Sequence, residues 1–196
     1  MKNKQKWGIA KTFECCYGHR VWTQELNTEF SLDSKCACRH LHGHQGSITI
    51  YLDGDRLNPQ GMITDFKHLN WMKKLIDDIV DHKFIIDYSD PLFNTLLPDF
   101  VAVPLSSICF EPIRVDKSII AYKPKLTNFD KLNMEDHMQE MYEGFTIVDF
   151  VPTSENLSKW LFNIASTKME QLGVEVSRVQ FFETPKSQAN YYNPQG

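Results

Sequence analysis

The run Cys38-Arg39-His40-Leu41-His42-Gly43-His44 places a thiol and three imidazoles within seven residues. It leads straight into Gln45-Gly46-Ser47-Ile48-Thr49-Ile50-Tyr51-Leu52, where polar and apolar residues alternate as in a half-buried strand. Residues two apart on a strand share a face, so His42 and His44 point the same way. Two imidazoles on one rigid face begin a zinc site that needs a third ligand. With a cysteine just upstream, an open site of this kind points to catalysis. Two plainer readings stand beside it. The histidines are ordinary strand residues, or Cys36, Cys38, His42 and His44 close a structural zinc site. The second gives a sensible ligand set, although one residue between the cysteines is tighter than the usual two to four.

The elements that must position these groups are legible around them. Trp7 to Cys15 reads as a first strand with Ile9, Phe13 and Cys15 on alternate positions, closed by Tyr17-Gly18-His19-Arg20-Val21-Trp22. Asn27 to Lys35 is polar loop, and Gln45 to Leu52 is the second strand. Asp53-Gly54-Asp55 and Asn58-Pro59-Gln60-Gly61 carry turn chemistry. A helix is expected over about 65–80, capped by Asp65, with Phe66, Leu69, Met72, Leu75, Ile76 and Ile79 on one face. Asp81-His82 follows it. Pro152-Thr153-Ser154-Glu155 opens a second helix with a cap residue and an acidic first turn. Leu157, Trp160, Leu161, Ile164 and Leu172 keep its period, and Gly173 stops it. A third strand is expected from Val174 to Phe182, and a short fourth from Ala189 to Tyr192. Between the helices, Tyr88 to Thr146 contains five prolines and mixed patches, and reads as an insertion with structure of its own.

The bulk numbers bound the function. The 196 residues suffice for one domain with a real core, and 42% hydrophobic with 23% charged residues is ordinary for a soluble protein. A net charge of -4 argues against a nucleic-acid surface, and no stretch approaches a membrane span. Met1 to Trp7 lacks the apolar core of a secretory signal. Five cysteines, an odd number, argue against a disulfide framework and for a reducing cytoplasm.

Taken in order, Gly18-His19-Arg20, Cys38-x-x-x-His42-Gly43-His44, Ile63-Thr64-Asp65-Phe66, Asp81-His82 and Pro152-Thr153-Ser154-Glu155-Asn156 resemble the 6-pyruvoyltetrahydropterin synthase superfamily. Within it they are most similar to the bacterial branch of 6-carboxytetrahydropterin synthases from the queuosine and 7-deazapurine pathway. The resemblance implies an α+β T-fold (tunnelling fold): a four-stranded antiparallel sheet with two helices on one face. Here it would form a single domain over 1–196 with a family-atypical insertion at about 88–146. Three such subunits close a barrel, and two trimers stack into a hexamer.

The resemblance also implies roles. His19, His42 and His44 match the Zn2+ ligands and Cys38 the catalytic thiol. Asp81 and His82 match a proton-relay pair, and Glu183 the glutamate that anchors the pterin ring. Thr153, Ser154 and Glu155 match the helix start that lines the pocket. The bacterial branch carries its cysteine four residues before the His-x-His pair, the animal pyruvoyl enzymes six before; this chain has both, Cys38 and Cys36. The implied activity is a zinc-dependent lyase on 7,8-dihydroneopterin triphosphate, releasing acetaldehyde and triphosphate and leaving 6-carboxy-5,6,7,8-tetrahydropterin. The alternatives are the pyruvoyl synthase, which eliminates triphosphate and keeps the side chain, and a non-catalytic zinc-stabilised oligomer.

Overall fold

The structure, a computed structural model, describes residues 6–31, 34–126 and 135–194. The chain builds two compact units: Met1–Cys16, His44–Asp81 and Ser154–Gly196 form the first, Tyr17–Gly43 and His82–Thr153 the second. Its strands hydrogen-bond in the order β4-β5-β6-β3-β1-β2-β7-β8. They are β1 (Trp7–His19), β2 (His42–Gly54), β3 (Lys83–Asp87), β4 (Phe110–Val115), β5 (Ser118–Pro124), β6 (Phe145–Val148), β7 (Glu175–Thr184) and β8 (Ser187–Tyr192). The expectation of four strands and two helices is thereby corrected to an α+β architecture with eight strands and four helices among the described residues. The additional strands come from the stretch after Asp81, which joins the sheet.

In the first unit the helix α1 (Asn70–Ile79) is entered through a 3-10 turn, Phe66–Leu69. The Asp65 carboxylate accepts the Lys67 N–H there at 2.7 Å, the cap expected from sequence. Leu69, Met72, Ile76 and Ile79 are buried as the periodicity predicts, whereas Phe66 is exposed. The helix α4 (Ser154–Met169) packs on β7 and β8. Leu157, Leu161, Ile164 and Ala165 are buried in it, as are Val176, Val179 and Phe181 on β7. A 3-10 turn, Glu170–Leu172, ends the helix at Gly173, whose φ of 67° is the left-handed stop that glycine supplies. That tightening turns Leu172 out to solvent, against its expected place on the buried face. β2 pairs antiparallel with β7, and β7 with β8; Ile48 lies opposite Phe181 and Ile50 opposite Val179.

In the second unit β3 lies parallel to the end of β1 and parallel to β6, with Gly18 opposite Phe84 and Phe84 opposite Phe145. β1 thus runs four residues beyond its expected end; Phe13, Cys15, Tyr17 and His19 continue one buried alternation. β4 and β5 form an antiparallel hairpin whose turn takes Asp116 to a φ of 53°. Two short helices, α2 (Phe93–Leu96) and α3 (Asp136–Glu143), complete the unit. Its core gathers Ile86, Phe93, Leu97, Phe100, Phe110, Tyr142, Phe145 and Ile147. The Tyr142 hydroxyl donates to Asp99 Oδ2 at 2.6 Å. No helix among the described residues is long and apolar enough to cross a membrane.

Candidate metal centre

The site is built on the last residue of β1 and the first three of β2. His19 ends β1 and is fully buried. Its Nδ1 lies 2.7 Å from the Pro152 carbonyl oxygen. A carbonyl only accepts, so Nδ1 carries the proton and Nε2 is the ring atom with the lone pair. His42, the first residue of β2, repeats the arrangement with Nδ1 at 2.8 Å from the His40 carbonyl. A backbone carbonyl fixing the tautomer and orientation of an imidazole is the support that metal-binding histidines use. The His19 and His42 rings lie 4.6 Å apart, centre to centre.

Gly43 explains how the strands come so close. A Cβ there would stand 2.9 Å from the Tyr17 carbonyl oxygen, a backbone atom with no freedom to swing aside. At Gly18 a Cβ would meet the Phe84 ring at 2.6 Å. His44, two residues along β2, has Nε2 at 3.4 Å from a carboxylate oxygen of Glu183, near the end of β7. The ligand-capable atoms of His19, His42, His44 and Glu183 all lie within 4.8 Å of one another, so the four side chains can hold a metal ion. Three imidazoles and a carboxylate suit a borderline divalent ion, and the donor set fits the expected group. Sequence reasoning had placed Glu183 as a ring anchor; that it also falls among the ligand atoms depends on the β2–β7 register and has no local signal.

The other candidates are placed as follows. Cys38 lies in a three-residue 3-10 turn, Ala37–Arg39, partly exposed, with Cys36 just before it. Neither cysteine belongs to the metal-competent group, so a closed Cys36/Cys38/His42/His44 site is absent among the described residues. All five cysteines are free thiols. Asp81 follows α1, and its Oδ1 accepts the Cys16 N–H at 2.7 Å. The exposed His82 holds a left-handed φ of 56°. Thr153 precedes α4, its N–H donating to the Val151 carbonyl at 2.8 Å; Ser154 and Glu155 form the helix's first turn.

A second set of contacts surrounds Cys38, and sequence reasoning missed it. The Val21 N–H donates to the Cys38 carbonyl at 2.7 Å, and the Cys38 N–H to the Gln24 side-chain oxygen at 3.0 Å. Arg39 Nε donates to the Gln24 carbonyl at 2.7 Å. Nearby, Arg20 pairs with buried Asp90 at 3.1 Å, and the Trp22 indole N–H donates to buried Asp87 at 2.9 Å. Arg20 stood beside His19 in the sequence, but Asp90, its partner, and Asp87, the partner of Trp22, lie in a stretch that no local pattern connected to them.

A model of the 6-pyruvoyl tetrahydropterin synthase family matches residues 8–194. Among curated proteins, a 6-carboxy-5,6,7,8-tetrahydropterin synthase of Aquifex aeolicus (strain VF5) is 31% identical over 198 residues, covering 95% of this chain and 98% of its own. A putative enzyme of the same name from Pyrococcus horikoshii is 33% identical over 110 residues, 54% of this chain and 63% of its own. Among solved structures, an uncharacterized protein of Wolinella succinogenes superposes with a TM-score of 0.86 at 45% identity, covering 96% of this chain and 99% of that one. The 6-pyruvoyl tetrahydropterin synthase of Caenorhabditis elegans, at 19% identity and a TM-score of 0.53 over 98% and 99% of the two chains, shares the fold. Coverage of this extent means that the stretch between Tyr88 and Thr146 lies largely within the span shared with the Aquifex and Wolinella proteins.

Proposed function

The chain belongs to the 6-pyruvoyl tetrahydropterin synthase family, and from that membership we propose that it is a zinc-dependent lyase. It converts 7,8-dihydroneopterin triphosphate to 6-carboxy-5,6,7,8-tetrahydropterin, releasing acetaldehyde and triphosphate, on the route to queuosine and other 7-deazapurines. The observation that carries this reading is the match to the Aquifex 6-carboxytetrahydropterin synthase along nearly the whole of both chains.

The residues divide the work. His19, His42 and His44 would hold the zinc ion, their rings set by backbone carbonyls at His19 and His42. Zinc bound there supplies Lewis acidity to hydroxyls of the substrate side chain. Glu183 faces the pterin and accepts hydrogen bonds from its 2-amino group and ring N–H through both carboxylate oxygens, a planar match. Thr153, Ser154 and Glu155 line the same pocket. Cys38, as the thiolate, takes a proton from the side chain. His82 returns protons, and Asp81 orients it and steadies its charged form. The subunits assemble as a T-fold trimer or hexamer in the cytoplasm, each site completed by a neighbour. The chain is one domain, with residues 88–146 elaborating it.

Cys36 favours a second reading. It lies six residues before His42, the offset of the animal pyruvoyl enzymes, and that reaction keeps the side-chain carbons. Product analysis with 7,8-dihydroneopterin triphosphate decides between them. Acetaldehyde and a carboxy-pterin are expected; a pyruvoyl-pterin without acetaldehyde gives the second reading, and no turnover by the metal-loaded protein refutes both.

A further inference from the structure

The turn carrying Cys38 cannot hold its own direction. It is three residues of 3-10 helix, and its preceding residue, Cys36, gives it no side-chain cap. So short a 3-10 segment has poor hydrogen-bond geometry. Besides its local bonds, among them the Ala37 N–H to the Lys35 carbonyl at 2.9 Å, the contacts of Cys38 and of the Arg39 side chain lead to residues 21–24. The Cys38 carbonyl is taken by Val21, the Cys38 N–H by the Gln24 side chain, and the following Arg39 by the Gln24 carbonyl. Both peptide groups that flank the thiol's Cα are therefore tied to one segment.

That segment is itself pinned. The Arg20 guanidinium reaches Asp90, whose side chain is 1% exposed and whose other oxygen accepts the Leu92 N–H at 2.8 Å. The Trp22 indole reaches Asp87, whose other oxygen accepts the Ser89 N–H at 2.9 Å. Each acid is thus oriented by its own backbone turn before it meets its partner. The acids stand at the end of β3 and in the turn after it, so the hold passes from β3 through residues 20–24 to Cys38.

We propose that Gln24 is a positioning residue for the Cys38 thiol, clamped by the Arg20–Asp90 and Trp22–Asp87 contacts. The inference rests on the reading of Cys38 as the reacting thiol. Gln24 acts through the Cys38 backbone, to which it contributes an acceptor that only a side-chain amide or carboxylate of that length supplies.

The test uses the full metal-loaded chain. Gln24→Met keeps the length and removes the acceptor; Gln24→Glu keeps an acceptor oxygen. Steady-state turnover of 7,8-dihydroneopterin triphosphate is measured with metal content and with the rate at which iodoacetamide alkylates Cys38, followed by mass spectrometry. Gln24→Met is expected to lower kcat about tenfold or more, the scale of a misplaced catalytic group. KM and metal content stay unchanged, the Cys38 alkylation rate shifts, and Gln24→Glu recovers most of both losses. Parental kcat and alkylation in Gln24→Met, beside an inactive Cys38→Ala, overturn the positioning role alone. Equal losses in Gln24→Glu with a matching fall in Tm also overturn it, as a plain folding role. Full turnover by Cys38→Ala sinks the functional reading instead, and the alkylation rate then still decides whether Gln24 places the thiol.

Discussion

Each of His19 and His42 commits one ring nitrogen to a backbone carbonyl, which leaves the other nitrogen a defined task. His42→Ala removes a ligand from the strand that also carries His44, and the variant is expected to lose both bound metal and turnover while keeping its fold; metal analysis beside circular dichroism checks it. Retention of full metal content would remove His42 from the ligand set. The adjacent cysteines of β1 behave oppositely to each other. Burial, reinforced by the Asp81 charge, pushes the Cys15 thiol up from 9.0 to about 12, while Cys16 is exposed. Iodoacetamide at about pH 8.5 is therefore expected to spare Cys15, which stays a buried protonated thiol, and to reach the exposed Cys16. The raised value also has a stability consequence. The folded state binds the Cys15 proton more tightly than the unfolded state, so the contribution is complete below about pH 9 and is lost as pH rises from 9 to 12. A Cys15→Ala variant should show a shallower decline of Tm over that window than the parent.

At the scale of elements, the close approach of β1 and β2 at Gly43 sets the spacing of the histidines. Gly43→Ala forces a Cβ against the Tyr17 carbonyl, and strand separation of this kind costs about 1–3 kcal/mol. The expected outcome is a lower Tm together with weaker metal binding in a competition assay; unchanged affinity would show that the ligands do not depend on this contact. Elements with a clean period were legible from sequence: β2 alternates, and α1 and α4 keep the helical spacing with recognisable starts. The strands missed are those whose pattern has another cause. Phe84-Ile85-Ile86 in β3 and Phe145-Thr146-Ile147-Val148 in β6 are buried at nearly every position, on both faces of the sheet, so neither shows the alternation of a half-exposed strand. Pro112 and Pro124 argue against strands, yet β4 lies at the end of the sheet order, where a missing N–H is tolerated, and Pro124 closes β5. Of the site, the His-x-His pair and the cysteine were local and readable. The contacts of Gln24, Asp87 and Asp90 join residues far apart in the chain and leave no spacing to find.

For the whole molecule, β8 and β4 end the strand order, and an exposed edge is a liability unless something pairs with it. Assembly in multiples of three is expected, with no active species at the 22.8 kDa of one chain. Light scattering coupled to size exclusion checks this; an active monomer would refute a site completed by a neighbour, and a trimer would refute only the stacking of two rings. The route by which β3 acquires its partners has a consequence in time. β3 is held by β6, made roughly a hundred residues after Cys38 on a ribosome adding about 5–20 residues per second. β1 pairs with β3 over only two residues and β6 over four, and the acids that anchor residues 20–24 stand at and just beyond the end of β3, so the hold on the thiol loop is completed only once β6 has been synthesised and docked. Each new chain is therefore expected to hold Cys38 only through its own contacts to Val21 and Gln24 for about 5–20 seconds, and in that interval the thiol is more open to the surrounding redox conditions and stray metal ions.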